Sequence, residues 1–192
     1  MYRKERDSLG SLEVLSDALY GIQTLRAFNN FNVTDKLVHK DMIISMAYVK
    51  KAAAQANKKI GELDAVLADL IISVCDEIIE GKHRKHFITK AIQGGAGTSI
   101  NMNMNEVISN RVAQIKNEAL GVYKVCHPND HVNHAQSTND VMPTSGKLTV
   151  LKLSETLIQE LILLKETIKL KSLEFEDDIK VGRTHLQDAV FI

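Results

Sequence analysis

Residues 143–173, PTSGKLTVLKLSETLIQELILLKETIKLKSL, carry more leucine and isoleucine than one helix face can hold. Leu148, Leu151, Leu157, Leu161, Leu164 and Ile168 recur at steps of three to six residues, beside Val150, Leu153, Ile158 and Ile162. Pro143 suits the first turn of a helix, where its missing N–H would have no partner anyway. The spacing therefore predicts one long helix from Pro143 to about Leu173. A helix apolar on more than one side is normally covered by several neighbours, as in a bundle. Little follows it in these 192 residues, so the cover is expected from identical chains or from missing partners. Left bare, such a face is an aggregation liability.

Upstream of it the chain also reads as mainly α. Two prolines and ten glycines leave long stretches free of helix breakers. A first helix is predicted from Thr34-Asp35 to Gly61, and a second from about Glu62 to Glu80, closed by Gly81. The second has Leu63, Val66, Leu67, Leu70, Ile71, Val74 and Ile78 on one side. A third helix follows the glycine-rich loop at Gln93–Ser99 and ends near Gly121. Residues 1–33 show no sustained period and read as an irregular arm. Val181 to Ile192 reads as a hairpin around a Gly182-Arg183 turn.

Composition narrows the function. With 44% hydrophobic and 25% charged residues, this is a globular composition, not a disordered one. Twenty-four basic residues balance twenty-four acidic ones, which argues against a nucleic-acid partner. The basic runs, Lys50-Lys51, Lys58-Lys59 and Lys82 to Lys85, read as solvated helix surface or helix ends. No apolar run approaches the ~18 residues needed to span a bilayer, and Met1-Tyr2-Arg3-Lys4-Glu5 is too charged for a secretory segment. Cys75 and Cys126 have no metal or redox spacing, and Cys75 reads as a small buried residue. A cytoplasmic location is the expectation.

Three polar segments could carry chemistry. In Gly94 to Glu106, glycines ahead of a helix leave N–H groups free for an anion, with Thr98 and Ser99 adding hydroxyls. The Gly-Lys-Ser/Thr ending of a nucleotide-binding loop is absent, and a plain glycine turn with a Ser/Thr cap also fits. Asn101, Asn103 and Asn105 alternate on a predicted helix although asparagine is a poor helix former, which suggests specific hydrogen bonds. In His127 to Asp140, His127, His131 and His134 offer either a metal site or a turn crowded with capping bonds. The run Gln136-Ser137-Thr138-Asn139-Asp140 has neutral donors suited to grasping a carboxylate. In Gly182 to Asp188, His185 lies in a predicted turn beside Thr184, Gln187 and Asp188.

These segments carry a resemblance. Asp17 to Ala27, Gly94 to Glu106, His127 to Asp140 and Gly182 to Val190 are similar, in the same order, to signatures of the fumarase/aspartase superfamily. Gly-Ile-Gln-Thr-Leu-Arg-Ala, Gly-Gly-Ala-Gly-Thr-Ser and Ser137-Thr138-Asn139-Asp140 look like the aspartate ammonia-lyase branch. The class II fumarase counterparts typically read Gly-Ala-Gln-Thr-Gln-Arg, Gly-Ser-Gly-Thr and Ser-Ser-Asn-Asp.

The resemblance implies an N-terminal helical domain over residues 1–140 and, over 141–192, the start of the central helical bundle of a homotetramer. It implies reversible anti elimination of ammonia from L-aspartate to give fumarate, through an aci-carboxylate and without cofactor or metal. Thr98, Ser137 and Thr138 would hold the β-carboxylate, Asn139 and His185 would lie by the amino group, and Thr184 by the α-carboxylate, with His185 catalytic. Leu15 and Phe191 replace the family's usual prolines and Leu19 an aromatic; Phe191 is expected to bear on the turn that aims His185. Nothing in the 192 residues resembles the family's Gly-Ser-Ser loop with its serine base. The chain is therefore expected to be inactive alone. The alternatives are a fragment of a class II fumarate hydratase and a non-catalytic assembly partner.

Overall fold

Strand β1 (Tyr2–Asp7) pairs antiparallel with β2 (Gly10–Leu15), in register from Tyr2 opposite Leu15 to Asp7 opposite Gly10. The computed structural model describes residues 1–191 and divides into two compact units, Met1–Thr149 and Val150–Ile192. The hairpin and a helix, α1 (Ile22–Asn30), occupy the stretch expected to be an irregular arm. No apolar period announces the hairpin because the inward side of β1 is charged: Arg3, Glu5 and Asp7 point inward. Arg3 donates to the carbonyls of Leu15, Ala18 and Tyr20 at 2.7, 2.7 and 2.9 Å. Glu5 accepts from the Ile22 amide at 2.8 Å, and Asp7 takes a two-pronged bond from Arg26 at 2.7 and 2.8 Å. Such charged, forked bonds fix geometry where apolar packing is thin.

The next helix, α2 (Lys40–Ile60), starts later than Thr34-Asp35. Residues 36–38 are instead spent on an extended pairing with residues 89–91, with Val38 N–H donating to Thr89 O and Ala91 N–H to Lys36 O. Gly61 ends α2 as expected, in the left-handed region at φ 81°. Helix α3 (Ala65–Ile79) is capped by the Asp64 carboxylate, which accepts from Leu67 N–H at 2.9 Å, and it buries Ala68, Ile71, Val74, Cys75 and Ile78 against its neighbours. Glu62 and Leu63 belong to the turn before it, bonded to the Asn57 carbonyl.

Helix α4 (Thr98–Ile115) is buried along its whole middle, from Asn101 to Asn110. It stops short of Gly121 because Asn117 turns left-handed at φ 56° and Glu118 N–H returns to Ala113 O. The carboxylate of Glu106, at mid-helix, caps α1 from a distance: it accepts from Gly21, Gln23 and Thr24 N–H at 2.8, 3.0 and 3.1 Å, and from the Thr24 hydroxyl at 2.6 Å. A Cβ on Gly21 would collide with Glu106 and with the Tyr123 hydroxyl, so the approach requires glycine.

A short π-helical turn at Pro128–Val132 precedes the longest helix, α5 (Thr138–Glu174). Pro143 lies inside α5, not in its first turn; Ser137 caps the helix five residues earlier than expected. In the first unit α5 buries Val141, Ser145 and Thr149, and Thr149 Oγ1 lies 2.9 Å from Ser45 Oγ on α2.

In the second unit the remainder of α5 is exposed: Leu151, Leu157, Leu161 and Leu164 are 64, 58, 53 and 54% accessible. The burial expected of this face is thus not supplied within its own unit. Strands β3 (Val181–Thr184) and β4 (Gln187–Phe191) form the expected hairpin. Its turn is at His185-Leu186, however, because Gly182-Arg183 is absorbed into β3 at a register shift between Val181 and Arg183. Among the described residues no helix is long and apolar enough to cross a membrane.

Candidate functional site

The polar residues singled out in the first unit gather around two helix starts. The loop before α4 closes with Ala96 and Gly97 both at positive φ, 52° and 88°, and the Thr98 hydroxyl donates to Gly95 O at 2.7 Å. A Cβ on Gly97 would run into the side chain of Met142, so this glycine lets the start of α4 sit against the start of α5. At α5 the Ser137 hydroxyl accepts from Asn139 N–H at 3.1 Å. One turn into α4, Asn101 donates to the Thr138 hydroxyl at 3.1 Å, tying the two starts together.

Thr98, Ser137 and Asn139 are exposed and Thr138 is half-buried. Helix starts carry uncompensated N–H groups and the positive end of the helix dipole. Neutral hydroxyl and amide donors set there attract a carboxylate without a full counter-charge. Thr184 and His185 lie in the second unit, exposed, at the β3–β4 turn, with His185 in the left-handed region at φ 53°. Phe191 pairs with Val181, at the end of the hairpin away from that turn.

The asparagine row makes the expected specific bonds. Asn103 donates to His86 O at 2.9 Å, and Asn101 and Asn105 both donate to Asn133 Oδ1, at 3.0 and 3.3 Å. The three histidines go separate ways. His127 Nδ1 accepts from Asn129 and Asp130 N–H and lies 3.0 Å from the Asp130 carboxylate; His131 Nδ1 accepts from His127 N–H; His134 lies 3.6 Å from Glu62. This is the crowded capping turn. Among the described residues no group of three or more His, Cys, Asp or Glu is placed to hold a metal. Burial pushes the His131 imidazole down, in keeping with a ring nitrogen that accepts a hydrogen bond.

The lyase family matches residues 10–192 of the sequence. The chain belongs to this lyase family. Relatives within it include the aspartate ammonia-lyase of Bacillus subtilis, 49% identical over 189 residues, and the class II fumarate hydratase of Nitrosomonas europaea, 43% identical over 189 residues. Both alignments take in 98% of this chain, and 40 and 41% of the respective relative, so the chain spans about two fifths of their length. The crystal structure of fumarate lyase:delta crystallin from Brucella melitensis superimposes with a TM-score of 0.87 at 45% identity, covering 100% of this chain and 45% of that one. The helical architecture is that of the N-terminal portion of the fumarase/aspartase lyases.

One residue of this lyase chain contradicts its sequence reading. Lys50, taken there for helix surface, is 0% exposed. Its ammonium donates to Asn133 Oδ1 at 2.7 Å and Gln136 Oε1 at 3.1 Å, both neutral. Burial brings its pKa down to about 7. Burial also pushes Cys75 up to about 12. The helical spacing could have found Lys50: it lies three and four residues from the buried Ala47 and Ala54. Its neighbour Lys51 does behave as surface, paired with Asp76 at 2.6 Å.

Proposed function

We propose that this chain supplies substrate-gripping elements of an ammonia-lyase that interconverts L-aspartate with fumarate and ammonia. The observation that carries the reading is the pair of helix starts, with Thr98 at one and Ser137, Thr138 and Asn139 at the other, joined by Asn101. Elimination requires a proton to leave Cβ, after which the adjacent carboxylate carries the developing charge as an aci-carboxylate. Fixed neutral donors and helix N-termini favour that more highly charged state over the ground state.

In this reading Thr98, Ser137 and Thr138 hold the β-carboxylate. Asn139 and His185 attend the amino group, His185 as the proton-handling side chain, and Thr184 binds the α-carboxylate. Residues 1–140 form the N-terminal domain and 141–192 begin a bundle that assembles four chains, which would cover the exposed leucines of α5. The base comes from outside these 192 residues, so the chain alone has no turnover. No cofactor or metal takes part.

A chimera tests this: the chain fused to the part of the Bacillus subtilis relative that follows the aligned segment. The expected result is fumarate release from L-aspartate and ammonia-dependent consumption of fumarate. A chimera that hydrates fumarate and does not aminate it would assign the hydratase reaction, whose relatives are 42–45% identical here.

A further inference from the structure

We propose that Lys50 is a positioning residue for the donors at the start of α5: its buried ammonium holds Asn133 and Gln136, and through them the Ser137-Thr138-Asn139 turn. That these donors meet substrate rests on the reading above; the clamp itself does not. Asn133 Oδ1 accepts from Lys50 at 2.7 Å, Asn101 at 3.0 Å and Asn105 at 3.3 Å, so three donors from α2 and α4 converge on one amide oxygen. The same side chain donates to Gln136 O at 3.1 Å, and Gln136 Nε2 donates to Val132 O at 2.9 Å and His134 O at 3.2 Å. Gln136 precedes the capping Ser137, and Asn101 also donates to Thr138. Lys50 thus holds the two side chains, Asn133 and Gln136, that bond the approach to α5 from within, and Asn57 on α2 adds a bond to His134 O at 3.0 Å.

An ammonium buried among neutral amides is disfavoured unless its hydrogen bonds are good, and those bonds are strong because they are charge-assisted. With Nζ brought down to about 7, the clamp is charged below neutral pH and loses its charge above it. The groups facing it are few. On α3 the Cys75 thiol stays protonated, and Asp76 is engaged by Lys51. From α4 come the neutral amides of Asn101 and Asn105, and on the 127–138 segment the titratable groups are His127, Asp130, His131 and His134. The variants below separate the lysine from these groups.

The test follows lysine side-chain and backbone amide NMR signals of the 192-residue chain across neutral pH, with no substrate present. One lysine is expected to titrate near 7, absent in Lys50→Met. The amides of Gln136, Ser137 and Thr138 are expected to move with the same midpoint, to keep it in His134→Gln and to lose the step in Lys50→Met. Asn133→Asp gives the ammonium a carboxylate and moves both midpoints up together by more than about one unit. That variant serves where Lys50→Met fails to fold. An ordinary lysine midpoint near ~10.4, amides that keep their step without Lys50, or midpoints that part company in Asn133→Asp would each overturn the proposal. Failure of the chimera above to act on aspartate leaves these readings untouched, so the two proposals fall separately.

Discussion

Helix α5 passes through two environments. Up to Thr149 it buries Val141, Ser145 and Thr149 and binds α2; from Val150 onward its leucines and isoleucines are mostly half or more exposed. The first stretch is the more polar of the two, yet it is the one with a buried face. Burial within a chain follows the neighbours a segment has, and hydrophobicity alone states only that neighbours are wanted.

Equivalent truncations should show the contrast most strongly. Ile108, 0% exposed, is expected to lose about 2–5 kcal/mol as Ile108→Ala. Leu161→Ala, at a site 53% exposed, should change stability by less than about 0.5 kcal/mol in dilute solution. Urea unfolding of both variants decides it. A large cost for Leu161→Ala that grows with protein concentration would show that chains cover each other there.

Buried and exposed carboxylates give the next test. Removing Glu106 frees the N–H groups of Gly21, Gln23 and Thr24, and Glu106→Ala is expected to cost about 1.5–3 kcal/mol. Glu166→Ala, on the second unit, should be nearly silent by the same assay.

The lysines differ in pH dependence. Lys50 has its folded pKa lowered to about 7 from 10.5, so between those values the unfolded chain binds the proton and the folded chain does not. Stability therefore rises with pH across that window, by at most about 1.4 kcal/mol per unit. Thermal unfolding at a series of pH values should lose this slope in Lys50→Met and keep it in Lys165→Met, whose parent side chain is 77% exposed.

The smallest effect is expected at a partly exposed pair, Arg111 and Glu77, whose side chains are 25 and 19% accessible. Arg111, with a lesser contribution from His83, holds Glu77 down to about 2. That contribution is present above pH 4.5 and is lost as pH falls toward 2. Arg111→Gln should remove at most about 1 kcal/mol of acid-sensitive stability over that interval, because the pair is partly solvated.

Much of this was legible. Gly61 stops α2, the asparagine row on α4 makes its bonds, and the hairpin after residue 180 is present. What escaped did so for physical reasons. The β1–β2 hairpin turns Arg3, Glu5 and Asp7 inward, so its period is one of charge, which a search for apolar alternation passes over. Lys50 was hidden by sitting next to Lys51: one helical step of about 100° separates a buried ammonium from a partly exposed one paired with Asp76. The start of α2 was placed early because Thr34-Asp35 looks like a cap, while the chain there is paired with residues 89–91. The site residues were suggested by motif; of them, Ser137 and Asn139 are bonded to each other and Thr138 is bonded to Asn101.

Arg3 sets how this chain meets a protease. Its guanidinium is clasped by the carbonyls of Leu15, Ser16, Ala18 and Tyr20, so a trypsin-like enzyme finds that side chain already taken, while Lys4 beside it stands exposed. A single cut after Lys4 would carry the clasp away with the first four residues and leave the segment from Leu15 to Tyr20 held through Leu19, by His86 and Asn110, ahead of the Gly21 amide that Glu106 binds.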